Sequence, residues 1–127
     1  MLKVNNPQVV AEVKAAFEAY EHALISNDIA SLNEMFWKSE QTLRYGTKEH
    51  ERLYGQSSIA EFRIKRGPVD QRRTLQNSRI TTFGRDFGIA NTEYIPGNFD
   101  KIGRQSQTWV RTDDGWKIVS AHVSFGT

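Results

Sequence analysis

The run Ile102-Gly103-Arg104-Gln105-Ser106-Gln107-Thr108-Trp109-Val110-Arg111 leads through Thr112-Asp113-Asp114-Gly115 into Trp116-Lys117-Ile118-Val119-Ser120-Ala121-His122-Val123-Ser124-Phe125. Both flanks are rich in β-branched and aromatic residues, and Asp-Gly between two such flanks is a strong hairpin signal. The same texture extends upstream. Arg72 to Phe83 is long and rich in Thr, Ile and Leu. Gly84-Arg85-Asp86 turns it into Phe87 to Ile95, and Pro96-Gly97-Asn98 turns again. The second half of the chain therefore reads as long antiparallel strands, from Arg72 to Phe125.

The first half reads as helix. Asn6 can cap and Pro7 suits the first helical position. Val10, Val13, Phe17, Tyr20 and Leu24 then form one apolar stripe, with Glu12, Lys14, Glu18 and Glu21 elsewhere on the helix. This helix should stop near Ser26-Asn27. Asp28 caps a second, shorter one carrying Ile29, Leu32, Met35 and Phe36. Thr42 to Gly46 and Arg52 to Tyr54 read as short strands. Ser58 with Glu61 forms a capping box that opens a third helix through Ile59, Phe62 and Arg66, ended by Gly67-Pro68. Helices first and strands last argue an α+β domain, with helices on one face of an antiparallel sheet. A sheet curled around the long first helix encloses a cone, and a cone is where a small ligand fits. Val13, Phe17, Tyr20 and Leu24 are expected to face that sheet.

At 127 residues the chain is sized for a single domain, 1–127. With 38% hydrophobic and 11% aromatic residues, it is not a disordered chain. Cysteine is absent, which excludes disulfide scaffolds, thiol catalysis, iron–sulfur clusters and cysteine-ligated zinc. No apolar run approaches the ~18–20 residues of a membrane span. Met1 to Asn6 contains no apolar signal core, so a cytoplasmic protein is expected. The net charge of +2 is weak support for a nucleic-acid partner. Arg63, Lys65, Arg66, Arg72 and Arg73 do cluster, but no aromatic stacking motif accompanies them, and nucleic-acid binding is not expected. Ten of the 17 basic residues are Arg, the side chain suited to paired hydrogen bonds with carboxylate or phosphate, although solvated surface accounts for most of them.

Catalytic motifs of the common kinds are missing. His22, His50 and His122 are scattered rather than paired at metal-ligand spacing, so no metal is expected. Gly84, Gly88 and Gly97 are spaced as turn residues, not as a phosphate loop. A Gly-x-Ser-x-Gly elbow does not occur. The informative residues are fewer. Arg44 stands mid-strand between Leu43 and Tyr45. Pointing inward it is a buried cation in need of an anion; pointing outward it leaves Leu43 and Tyr45 to the core. Tyr20 lies on the apolar stripe, either as a core aromatic or as a phenol at the floor of the cone. His122, Ser120 and Ser124 share one face of the last strand, either a pocket wall or a solvent face. Gln105, Gln107 and Trp109 share one face of the preceding strand, and Arg104, Ser106 and Thr108 the other; one of the two lines the cavity. Trp37, just after the second helix, is either a lid or core.

The closing Asp114-Gly115-Trp116-Lys117-Ile118-Val119 run and His122-Val123-Ser124 resemble the nuclear transport factor 2-like superfamily (cystatin-like, SnoaL-like). A narrower set of strings covers nearly the whole chain: Phe36-Trp37, Thr42-Leu43-Arg44-Tyr45-Gly46, Ile80 to Phe87, Ala90-Asn91-Thr92-Glu93 and Gly103 to Val110. As a set they resemble the AtzH-like family, which includes the oxalurate catabolism protein HpxZ and a decarboxylating amidohydrolase of cyanuric acid breakdown. The resemblance implies a cystatin-like cone and a small-molecule enzyme of ureide or triazine catabolism, converting 1,3-dicarboxyurea to allophanate without a cofactor. The family's catalytic pair, a tyrosine on the first helix and an arginine on the first strand, falls on Tyr20 and Arg44. His122, Gln105, Ser106 and Trp37 are the candidates for the rest of the substrate site. Two alternatives accompany this reading: a non-catalytic anion-binding accessory protein of oxalurate catabolism, and a dimerisation module. The expected partners are a small anionic substrate and a second copy of the chain, paired through the sheet face that the helices leave bare.

Overall fold

The computed structural model describes residues 1–126. Asn6 accepts the Gln8 backbone N–H at 3.0 Å, with Pro7 as the first helical residue, and α1 runs Pro7–Ile25. Asp28 caps α2 (Ile29–Met35) by accepting the Ser31 N–H. Two short strands follow, β1 (Leu43–Tyr45) and β2 (Arg52–Tyr54), then α3 (Gln56–Arg66). The remaining strands are β3 (Thr74–Phe83), β4 (Phe87–Ile95), β5 (Gly103–Thr112) and β6 (Gly115–Phe125). Among the described residues, no helix is long and apolar enough to cross a membrane.

The capping box at Ser58 and Glu61 does not open α3. Gly55, at φ 90°, turns β2 directly into the helix, and its carbonyl accepts the Ile59 N–H at 3.2 Å. No side chain caps α3, so Ser58 already lies inside its first turn. A left-handed glycine supplies the sharp corner that a serine cap would otherwise need.

One curved sheet takes all six strands in the order β2-β1-β6-β5-β4-β3. From β3 to β6 the pairing is antiparallel, as the turn signals imply. β1 lies parallel to β6, with Arg44 opposite Ala121. The buried side of α1 is Val9, Val13, Phe17, Tyr20 and Leu24, packed with Ala90, Trp109, Ile118 and Ala121 of the sheet. Val9 rather than Val10 begins this stripe, and Glu21, expected off it, is buried as well. A Cβ on Gly88 would stand 2.8 Å from Val13 Cγ2, so glycine there sets how closely α1 approaches β4.

Two local devices decide what faces the cone. In β6, Thr108 pairs with Ser120 but Trp109 pairs with Ile118, leaving Val119 as an extra residue. This bulge shifts the alternation, so that Ile118 and Ala121 both point to the core. At the far end of the sheet, Gly103 pairs with Tyr94, and the Tyr94 ring lies across the space a Gly103 side chain would fill. Gly103→Ala should therefore displace the ring and cost about 1–3 kcal/mol, as overpacking does. Thermal unfolding of the variant measures this, and an unchanged midpoint would show that the ring has room to move.

Candidate functional site

A cavity of about 240 Å³ opens between α1 and the β1-β6-β5-β4 part of the sheet. Tyr20 and Leu24 of α1 line it, with Arg44 of β1 and Thr47 and Glu51 of the following loop. Arg66, Pro68, Val69, Asp70 and Arg73 contribute from the end of α3 and the segment after it, and Tyr94, Gln105, Val123 and Phe125 from the sheet. Tyr20 is 5% exposed, Arg44 6% and Gln105 4%.

Positive charge dominates the walls. Arg44 carries its guanidinium 5.0 Å above the Phe62 ring, and its Nη1 lies 3.6 Å from Glu51 Oε1. That separation is an ion pair but too long for a hydrogen bond. Arg73 donates Nε and Nη2 to the two Glu21 oxygens at 3.1 and 2.9 Å, and Nη2 also to Gln105 Oε1 at 3.1 Å. The Tyr94 ring centroid is 4.0 Å from this guanidinium. Arg66 stands over Phe62 and donates Nε to the Gly67 carbonyl. Arg63 is buried just behind, against Phe36. Asp70 is taken up by Arg72, which holds its carboxyl down at about 2. Four guanidiniums around the cavity thus face two carboxylates, Glu51 and Glu21, which leaves an excess of two positive charges.

The consequences are visible in the protonation equilibria. Burial is the main force lowering the Arg44 pKa, with the neighbouring Arg63 charge adding to it. Burial and the Arg63 charge also push Arg66 down to about 10. Both side chains stay cationic at neutral pH, held in an environment that penalises the charge. Burial raises the Tyr94 hydroxyl, against the opposing pull of Arg73. Several buried donors have no acceptor among the described residues: Arg44 Nη1, Arg63 Nε and Nη1, Arg66 Nη2 and Gln105 Nε2. The arrangement can accept an anion rich in oxygen atoms, and it offers a phenol, Tyr20, from the helix side of the same cavity.

Of the residues singled out from the sequence, Tyr20, Arg44 and Gln105 meet at this cavity. His122, Ser106 and Trp37 do not. His122 is exposed on the opposite sheet face, edge-on to Tyr45 at 5.9 Å between ring centroids, because residues 121 and 123 take the inward positions. Ser106 is exposed and donates to Asn91 at 2.6 Å, also outside, since its neighbours Gln105 and Gln107 point in. Trp37 is 38% exposed beside Lys38 and Lys117, beyond the end of α2 and away from the cone. Sequence reasoning passed over Arg66, Arg73, Glu21 and Glu51. The basic cluster held the signal for the first two, but α3 and the segment after it turn part of that cluster inward. Glu51 follows four hydrophilic loop residues and carries no periodic signal. It is accommodated because Gly46, whose N–H donates to the Glu51 carbonyl at 2.8 Å, leaves the space its carboxylate fills.

The AtzH-like family model matches residues 2–127. The chain belongs to the AtzH-like family. No curated protein matches it. A protein of unknown function from the DUF3225 family of Pectobacterium atrosepticum is 48% identical, with a TM-score of 0.92 over 98% of this chain and 95% of that one. A cystatin-like fold protein from Burkholderia xenovorans is 44% identical, with a TM-score of 0.94 over 98% and 97%. An NTF2-like protein of unknown function from Pseudomonas putida, 16% identical with a TM-score of 0.78 over 94% and 87%, shares the fold. The AtzH-like chain thus has a cystatin-like, NTF2-like α+β fold.

The buried Glu21–Arg73 pair ties α1 to the segment entering β3. Glu21→Ala leaves an uncompensated guanidinium in a site already overloaded with positive charge. The expected loss is about 3–5 kcal/mol of folding stability. Denaturant unfolding reads it, and a midpoint equal to that of the parent would show that Arg73 finds water when its partner is removed.

Proposed function

We propose that this protein removes a carboxyl group from an N-carboxylated urea, with 1,3-dicarboxyurea as substrate and allophanate and carbon dioxide as products. The observation that carries the reading is the set of buried, unpartnered donors around a cavity with two excess positive charges. A dianion with carboxylate oxygens at both ends matches that charge and that donor set. A pure assembly domain has no use for such a cavity, since buried unpaired charge costs stability.

The reaction asks little of the protein. The bond between one urea nitrogen and its carboxyl carbon breaks, and the electron pair stays on nitrogen. That nitrogen takes one proton, carbon dioxide leaves, and the dianion becomes the monoanion allophanate. Arg44 holds a carboxylate or the urea oxygen through charge-assisted hydrogen bonds. Tyr20 gives the proton to nitrogen, and the guanidiniums of Arg44 and Arg66 stabilise the phenolate until solvent restores its proton. The apolar wall of Leu24, Val123 and Phe125 limits competing water.

Arg44→Met removes the charged anchor. At ~1.5–3 kcal/mol per charge-assisted hydrogen bond, turnover falls at least roughly tenfold to a hundredfold. Tyr20→Phe keeps shape and burial but deletes the hydroxyl, so folding survives while activity falls. Carbon dioxide release from dicarboxyurea is followed for both variants and the parent. Parental rates in both would refute the assignment. A parent that binds oxalurate without turning over dicarboxyurea would move the reading to an accessory anion-binding protein. Pairing of two copies through the outer sheet face belongs to the same proposal, and light scattering that shows a monomer at micromolar concentration would overturn that part.

A further inference from the structure

Gln105 sits in β5 with its side chain buried against the cavity. Its Oε1 accepts from Arg73 Nη2 at 3.1 Å. A guanidinium has donors only, so the amide oxygen must face it and the amide Nε2 must face away. That Nε2 is buried without an acceptor among the described residues. Arg73 is itself fixed, by both Glu21 oxygens and by the Tyr94 ring 4.0 Å from it. The Tyr94 ring keeps its place because its cross-strand partner is Gly103. A chain of contacts therefore runs from Glu21 through Arg73 to Gln105, and its last member, a residue lining the cavity, has its amide oxygen taken and its N–H groups unpaired.

Arg44 and Gln105 stand on strands either side of β6. Arg44 is level with Ala121 and Gln105 with Val123, so two strand spacings and a two-residue offset separate their backbones by roughly 12 Å. Donors reaching inward from both sides leave between them the span of a short dicarboxylate. We infer that Gln105 Nε2 takes an oxygen of the carboxylate remote from Arg44, and that Glu21 and Arg73 are positioning residues that lock the amide as a donor. The site then distinguishes a dicarboxylate from a monocarboxylate by a neutral, oriented group rather than by charge alone. This rests on the dicarboxylate reading above and names the residues that set its selectivity.

The test uses a pair of carbon analogues, each prepared fresh and titrated cold because β-oxo carboxylates lose carbon dioxide on standing. In 3-oxoglutarate, methylene groups replace the two nitrogens of dicarboxyurea while both carboxylates and the central carbonyl remain. Acetoacetate lacks one carboxylate. Calorimetric titration of the parent should show tighter binding of 3-oxoglutarate. Gln105→Leu should lose roughly tenfold to a hundredfold for 3-oxoglutarate, the range for one hydrogen bond to a charged group, with acetoacetate affinity nearly unchanged. Gln105→Glu, which Arg73 can still hold, should lose more, since it sets a carboxylate against the ligand. If Arg73 acts through Gln105, Arg73→Met and Gln105→Leu are not additive in the double variant. Arg73→Lys should recover most of the selectivity, because an ammonium also donates to Oε1. Additive losses, or an Arg73→Lys variant no better than Arg73→Met, would reduce Arg73 to a charge and overturn its positioning role. Should Arg73→Met not fold by circular dichroism, Arg73→Lys and the two Gln105 variants decide. A parent that binds 3-oxoglutarate while Gln105→Leu binds it equally overturns this inference and leaves the proposed function standing. A parent that binds neither analogue overturns both.

Discussion

Four guanidinium groups crowd one small cavity, three on its walls and Arg63 buried behind them, and two carboxylates are too few to neutralise them. Taking a charge out of water is expensive, and a buried ion pair seldom repays the cost in full. Here Arg73 is paired and hydrogen-bonded, Arg44 has a carboxylate only at ion-pair distance, and Arg63 and Arg66 rely mainly on aromatic faces. An apolar core of the same volume would hold the fold together better. Such an arrangement is expected where a site gives up stability for function. An anion entering the cavity would supply the acceptors that the protein itself withholds.

The fold makes this arrangement possible by separating two jobs along α1. Its first turns carry Val9, Val13 and Phe17, which bury completely against the sheet and fix the helix. Gly88 lets that contact close up. Only then do Tyr20 and Glu21 arrive, adjacent in sequence and about 100° apart around the helix. Tyr20 faces the cavity, and Glu21 reaches sideways to Arg73. On the sheet, β1 joins β6 in parallel and sets Arg44 opposite Ala121, whose small side chain leaves room for a guanidinium. Helix and strand thus deliver a phenol and a cation to the same space from opposite walls.

The elements were legible because they rest on periodicity and turn chemistry. Asn6-Pro7, Asp28, Gly84, Gly97 and Asp114-Gly115 each mark a boundary within a few residues of the observed one. The faces were harder. A three-residue strand such as β1 gives no alternation to read, so only the family resemblance favoured an inward Arg44. In β6 the bulge at Val119 breaks the alternation that a pattern assumes, and nothing in the letters signals it. The row of Ser120, His122 and Ser124 read as either a pocket wall or a solvent face, and either face of the preceding strand could line the cavity; His122 and Ser106 face outward, because a strand carries its pattern without saying which side the helices cover. Arg63, Arg66 and Arg73 read only as part of a local basic cluster. Their burial follows from tertiary packing of α3 and the segment after it, which local sequence does not encode. Glu21 was legible only as the odd charged residue beside an apolar stripe.

A site built from donors and excess charge also answers how product would leave. On the proposed reaction the ligand enters with two negative charges and departs with one. At a separation of 4 Å and an effective dielectric constant near 20, each opposite-charge pair is worth about 4 kcal/mol of gross attraction. Part of that is returned as desolvation, but the part removed when carbon dioxide departs is removed from the product alone. The donor left facing no carboxylate becomes unsatisfied again, which costs roughly a further 1–3 kcal/mol. The same excess of charge that draws the dianion in therefore weakens its hold as the reaction completes, so binding and release need no moving lid to be reconciled.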